Sequence, residues 1–247
     1  MNFPIYFPLI IIPTRYFIVA GIFYLIFYVL FKSNFINLKI QKKIPNSTIL
    51  ISEIFFSIQT MVIFGFMAIL MRYLVINKYT LVYSQISDYG LIYFLFSIIM
   101  IILIHDFYFY FSHKIIHHKK LFFIHKRHHL STNPTPWSAF SFGPIEALIQ
   151  IIWLPVIIFI VPLHPFALLI WALWMMVMNV IGHLGFEIYS KNFLNSFVGK
   201  ILNASTHHNL HHSRSKSNYG LYFTFWDKIM GTEDKNYRST FEKIKNN

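Results

Sequence analysis

Histidine carries most of the chemistry this sequence can do. Seven of its thirteen histidines fall in HDFYFYFSHKIIHHKKLFFIHKRHH, from His105 to His129, and a second group, THHNLHH, runs from Thr206 to His212. Helical geometry makes such groups converge. At 100° per residue His113 and His117 lie about 40° apart on one face, and Asp106 lies within about 20° of each. His125-x-x-His128-His129 and His208-x-x-His211-His212 repeat the logic, so residues three or four apart are expected to meet. His183 adds a further imidazole, with Asn179 and Glu187 about one turn to either side.

Crowding about ten imidazoles together is costly unless something binds their lone pairs, and a metal is the usual something. One zinc takes four ligands, so this many donors imply two ions. Imidazole suits Zn, Cu, Fe and Ni. Cysteine is absent, which excludes disulfides, thiolate zinc sites, iron–sulfur clusters and cysteine nucleophiles together. A dinuclear zinc hydrolase would normally add a bridging carboxylate, and the clusters contain none. The Glu-x-x-His pairs of soluble di-iron bundles are also missing. The residues favour a His-rich di-iron site that activates oxygen, with a zinc-dependent membrane hydrolase and a His-lined membrane metal transporter as alternatives. A transporter should hold its ligands near the bilayer midplane, whereas these lie at span ends and beyond. Asp106, Glu187 and Asp227 could accept the second N–H of ligand imidazoles. Helix capping or ion pairing accounts for Asp106 and Asp227 equally well. His164, alone in a hairpin turn, reads as an ordinary hydrogen-bonded residue.

The elements that must position these residues are membrane spans. Apolar residues make up 56 % of the chain and charged ones 12 %, where soluble domains carry about 25 % charge. Uninterrupted apolar blocks occupy residues 5–31 (apart from Arg15), 49–71 (apart from Glu53) and the stretch from Gly90 into His105, and about 20 such residues cross the hydrocarbon. The first block lacks the basic start and small-residue cleavage site of a signal peptide, so it reads as a span. Two shorter segments, 145–161 and 166–182, are joined by Pro162-Leu163-His164-Pro165 and suggest a helical hairpin that enters the bilayer and returns. Lysines without acidic partners mark 32–48 and 113–143 as cytoplasmic, as does the net basic region from His183 onward. Both histidine clusters are then expected on one face of the membrane. The net charge of +12 is read as attraction to lipid headgroups, because the lysines flank apolar blocks and form no nucleic-acid-binding stripe. The fold expected is an all-α integral membrane protein with four to five transmembrane helices and a cytoplasmic helical cap carrying the di-metal site. It is one domain, 1–247, with N-terminal spans in 1–89 and a catalytic region in 90–235.

HKIIHH (113–118), HKRHH (125–129) and HHNLHH (207–212) together resemble the three histidine boxes of the fatty acid hydroxylase / sterol desaturase superfamily. The likeness continues through STNPTPWSAFSFGPIEA (131–147), NVIGHLGFE (179–187) and SNYGLYFTFWDKIMGTE (217–233). The resemblance implies a membrane di-iron oxidoreductase with a cytosolic active site, in the bacterial inner membrane or the endoplasmic reticulum. It would use O2 and external electrons to hydroxylate or desaturate a lipid, sterol-like or fatty-acyl/sphingolipid. Carried over by position, His113, His117, His118, His125, His128, His129, His183, His207, His208, His211 and His212 are the candidate ligands. The choice between His117 and His118 is open, and His207 is the least secure. His105, Asp106, Asn179, Glu187 and Asp227 are expected to support the site or the substrate's approach. Gly143 stands where many relatives have a histidine before the proline, a departure that could alter substrate or chemistry. Neither His-Pro-Gly-Gly nor Gly-x-Gly-x-x-Gly occurs, so electrons are expected from a separate cytochrome b5-like or ferredoxin-type protein.

Overall fold

The computed structural model describes residues 4–246. Five apolar helices make the base: α1 (Pro8–Tyr24), α2 (Ser47–Ile76), α3 (Gly90–Ile116), α4 (Pro144–Ile160) and α5 (Pro165–Gly182). α1 continues through a π-helical stretch, Leu25–Leu30, so its span is Pro8–Leu30. Four of the spans are long and apolar enough to cross a membrane, and α4 is a shorter apolar helix. Local chemistry sets several starts. Asn46 caps α2 by accepting the Ile49 N–H, and prolines open α4 and α5. His164 caps α5 through Nδ1, which accepts the Phe166 N–H, while its Nε2–H donates to the Ser84 carbonyl.

The bundle interior is built on Tyr16, Met61, Phe64, Ile101, Phe140 and Trp171, all buried. The outer faces are apolar too: Ile92 is 87 % exposed and Ile51 68 %. In water such a surface would aggregate; against lipid it is the expected one. Several polar residues within the spans find partners at the bundle's centre. Ser57 and Tyr16 both donate to the Trp137 carbonyl, and Glu53, the acidic interruption of the second span, accepts the Thr135 hydroxyl. The segment after α3 is thereby drawn down between α1 and α2.

The remaining polar segments gather at one end. Gln41 donates to the Thr132 carbonyl and to Asn209, and Lys39 bonds the Gly185 carbonyl. Gly185 has a φ of +74°, and a Cβ there would meet the Tyr28 hydroxyl at 2.7 Å, so the close approach of these loops requires glycine. Two further helices, α6 (Ser205–Arg214) and α7 (Tyr237–Lys245), complete this end. Among the described residues, strand pairing is limited to two isolated bridges, Lys39 with Phe186 and Leu202 with Phe223. α3 has 27 residues, about 40 Å at 1.5 Å each, against about 30 Å of hydrocarbon. Its surplus carries His113 out of the apolar layer to the polar end.

Candidate metal centre

Nine histidines converge there in two groups. His113, His117, His125, His129 and His211 form one; His128, His183, His208 and His212 form the other. Within each group, one ligand atom per residue lies within 4.8 Å of all the others. Contacts are closer still between particular Nε2 atoms. His113 and His125 are 3.0 Å apart, and His129 is 3.1 Å from both His117 and His211. In the second group the His183 Nε2 lies 3.1–3.2 Å from those of His128, His208 and His212.

The far side of several rings decides what these contacts are. The Nδ1–H of His113 donates to the Tyr219 carbonyl, that of His211 to the Ser217 carbonyl and that of His183 to the Asn179 carbonyl. His125 Nδ1–H donates to Glu146 Oε1. With the proton fixed on Nδ1, Nε2 presents a bare lone pair. His113 and His125 therefore point two lone pairs at each other across 3.0 Å, which no hydrogen bond can satisfy. Protonation offers no relief. Burial, reinforced by neighbouring histidines, holds His125, His128, His208, His211 and His212 well below the ordinary imidazole range. Burial also lowers His129 and His183 to about 4. A cation that accepts nitrogen lone pairs fits each group.

A pH dependence follows. These folded-state values lie below the roughly 6.5 of an unfolded histidine, so between about 6.5 and about 4 the unfolded chain binds more protons than the folded one. Stability then rises with pH in that window and is lost as pH falls through it. Chelator-treated protein in detergent should melt progressively lower from about pH 7 to about pH 4; a flat profile would contradict the burial of neutral imidazoles.

Two expected ligands are not in either group. His118 is exposed beside Lys119 and Lys120, because the helix ends at Ile116 and the chain turns outward. His207 is buried but faces away, with Nε2 3.6 Å from Asp227 Oδ2 and its ring 5.0 Å from Tyr237. On α6 it lies at the edge of the face that carries His208, His211 and His212, about 40° from His211, and its contacts with Asp227 and Tyr237 turn it away from the group. The expected spacing rule is also narrowed. Three pairs four apart share a group (His113 and His117, His125 and His129, His208 and His212), His207 and His211 being the exception, while His125/His128 and His208/His211, three apart, are divided between groups.

The expected supporting carboxylates act on backbone, and none of them bonds one of the nine imidazoles. Asp106 accepts the N–H groups of Tyr222 and Phe223, and Asp227 accepts those of Tyr219 and Gly220. Together they hold the irregular stretch whose Tyr219 carbonyl orients His113. Glu187 accepts the Thr206 N–H and hydroxyl, anchoring the first turn of α6, which Ala204 cannot cap. Asn179 contributes its carbonyl to His183 and spends its amide on Ala139. His105 bonds the Tyr222 hydroxyl at 2.7 Å. The carboxylate that does bond one of the nine is Glu146, fully buried on α4. Its signal in the sequence was slight: an acidic residue in the first turn of an apolar helix, twenty-one residues after its partner.

Below the histidines lies a cavity of about 230 Å³ between α1, α2, α4 and α5, lined by Met61, Phe64, Leu154, Leu168, Met175 and, as its one charged residue, Arg15. A narrow neck of about 20 Å³ shares Phe64, Phe140 and Trp171 with it and reaches Phe142, Phe109 and Asn179. Phe142 packs 5.0 Å from His128 and Phe109 5.0 Å from His113. An apolar passage thus ends one side chain short of both histidine groups.

A membrane-embedded helical bundle with two histidine clusters at one end is the architecture of a bilayer protein whose histidines could hold metal. Its family is defined by the chain itself: residues 98–232 match the fatty acid hydroxylase profile, and the protein belongs to that family. It is 28 % identical to a Delta(7)-sterol 5(6)-desaturase of Gibberella zeae over 158 residues, 64 % of this chain and 47 % of that protein. It is 30 % identical to the lathosterol oxidase of Homo sapiens over 183 residues, 73 % of this chain and 60 % of that protein. A Delta(7)-sterol 5(6)-desaturase of Schizosaccharomyces pombe is 30 % identical over 155 residues, 62 % of this chain and 49 % of that protein. The chain spans about half the length of these curated relatives. No solved structure matches it.

Proposed function

We propose that this protein is an O2-dependent oxidoreductase that desaturates or hydroxylates a sterol-like membrane lipid, with two iron ions as its cofactor. The observation that carries the reading is the apolar passage ending one side chain short of two all-histidine groups. His113, His117, His125, His129 and His211 would hold one ion, and His128, His183, His208 and His212 the other. Bound iron supplies the oxygen activation that an unactivated C–H bond demands. The chain's own residues do the rest. Phe109, Phe142 and the other walls of the neck exclude water, and the cavity behind holds the hydrocarbon body. Glu146 and the carbonyls of Tyr219, Asn179 and Ser217 fix the tautomer and orientation of His125, His113, His183 and His211. Desaturation removes two hydrogens from adjacent carbons, and with two external electrons and two protons O2 leaves as water. Those electrons come from a separate protein, cytochrome b5-like or ferredoxin-type. The basic loops around the histidine end support a cytoplasmic position for the site, in a bacterial inner membrane or the endoplasmic reticulum. The sequence homologues named above support the sterol-like substrate, and the position of the donors at span ends argues against a carrier.

The test is metal analysis of protein purified from iron-replete cells, together with turnover of a Delta(7)-sterol in the presence and absence of O2. Iron near two per chain and product only with O2 is the expected result. Tightly held zinc with O2-independent turnover would overturn it.

A further inference from the structure

One face of α4 runs from the metal centre into the cavity. Glu146 bonds His125; Gln150 follows four residues on, and the Trp153 ring lies 4.8 Å from that of His105. Residues four apart share a helix face, and four residues rise about 6 Å, so Gln150 stands one turn from the carboxylate that holds a histidine of the centre. It is 7 % exposed and lines the neck. Its side-chain Nε2 is buried with no hydrogen-bond partner. A buried amide nitrogen without a partner marks a position that leucine or methionine would fill at lower cost.

His105 lines the same neck, 4 % exposed. It commits Nδ1 to the Tyr222 hydroxyl, which leaves Nε2 without a protein partner. The other polar residue there, Asn179, already gives its amide to the Ala139 carbonyl. Most of the remaining lining is apolar, including Phe64, Phe109, Ile151 and Leu221, and Trp171 adds a buried, unpartnered indole N–H. Gln150 and His105, the two with unused capacity on an amide and an imidazole, thus face one narrow, largely apolar passage.

We infer that Gln150 and His105 hold a hydroxyl group of the lipid substrate in the neck. The inference rests on the oxidoreductase reading and specifies its substrate as a lipid alcohol, oxidised close to its oxygen, with its hydrocarbon body behind in the cavity. A hydroxyl both accepts and donates, which suits an amide on one side and an imidazole nitrogen on the other. A carboxylate does not suit the neck, because neither lysine nor arginine lines it and the buried charge would stand uncompensated. Gln150 and His105 are positioning residues: they set which carbon lies nearest the histidines.

Anaerobic equilibrium binding to the holoenzyme in nanodiscs separates this from the reaction itself. The probes are a Delta(7)-sterol and the same steroid with its hydroxyl replaced by hydrogen. Wild type should bind the alcohol about tenfold more tightly or better. Gln150→Met should bind both within about twofold, by loss of affinity for the alcohol, with metal content and melting temperature at the wild-type level. Equal binding of the two probes by wild type, binding of neither, or a preference that survives in Gln150→Met overturns the inference. Selective binding without O2-dependent product would leave the hydroxyl site standing and remove the oxidoreductase reading. Product without selectivity would do the reverse.

Discussion

His211→Ala and His212→Ala, substitutions at adjacent residues, are expected to empty different metal positions. His211 belongs to the group of five and its Nε2 lies 3.1 Å from that of His129; His212 belongs to the group of four, 3.1 Å from His183. Each variant should retain about one metal ion per chain where wild type retains about two, and the double variant should retain none. The His212 change is the more severe for binding, since it takes a four-donor group to three, whereas His211→Ala leaves four donors. Either loss should exceed the 10–100-fold in affinity that removing a ligand's hydrogen-bonding support costs. Turnover should vanish in both, because the proposed reaction needs both ions. Metal analysis after exposure to a weak chelator checks it. If each single variant loses both ions together, the two groups are one interdependent cluster and the division fails.

That division shows where the sequence was readable. The apolar blocks named the spans, because a bilayer dictates both length and composition. Residues 5–31, 49–71 and the stretch from Gly90 correspond to helices Pro8–Leu30, Ser47–Ile76 and Gly90–Ile116, and the proline-linked hairpin to α4 and α5. The convergence of the boxes was readable as well, since helical period is local information. Allocation between groups was not. His125, His128 and His129 do not share one helix: Phe122–His125 is a single turn, and a separate 3-10 turn begins at His128. The change of winding swings His128 toward His183 and leaves His129 with His117. His207 and His118 belong to the same lesson. Both sit in box sequences, yet one faces Asp227 and the other solvent, because a box specifies spacing and the surrounding packing specifies direction.

Supporting interactions were the least legible part, for a physical reason. A carboxylate near a histidine in sequence is an obvious candidate, so Asp106, Glu187 and Asp227 drew attention. In the folded chain these acids satisfy backbone N–H groups of irregular segments, which need partners as much as imidazoles do. Most imidazole N–H groups with a partner on the protein then turn to carbonyls, which every residue carries and no sequence pattern advertises. Arg15 is a feature the sequence did mark, as the interruption of the first span, and it lines the apolar cavity with its Nε buried and unpartnered.

Glu146 is where the second large effect is expected. It is fully buried, one oxygen takes the His125 Nδ1–H, and the other has no partner on the protein. Glu146→Gln keeps an acceptor oxygen but weakens its hold on the His125 Nδ1–H, so affinity at the five-histidine group should fall about tenfold. Glu146→Ala removes the acceptor too; affinity should fall toward about 100-fold, and the stranded N–H should cost about 1–3 kcal/mol of stability. The background for the measurement is His212→Ala, whose single remaining ion belongs to the group that Glu146 supports, so chelator competition reads that group alone. In a His211→Ala background, where the remaining ion sits among His128, His183, His208 and His212, the same Glu146 substitutions should leave affinity unchanged. Equal weakening in both backgrounds would mean that Glu146 acts through the packing of α4 and not through His125.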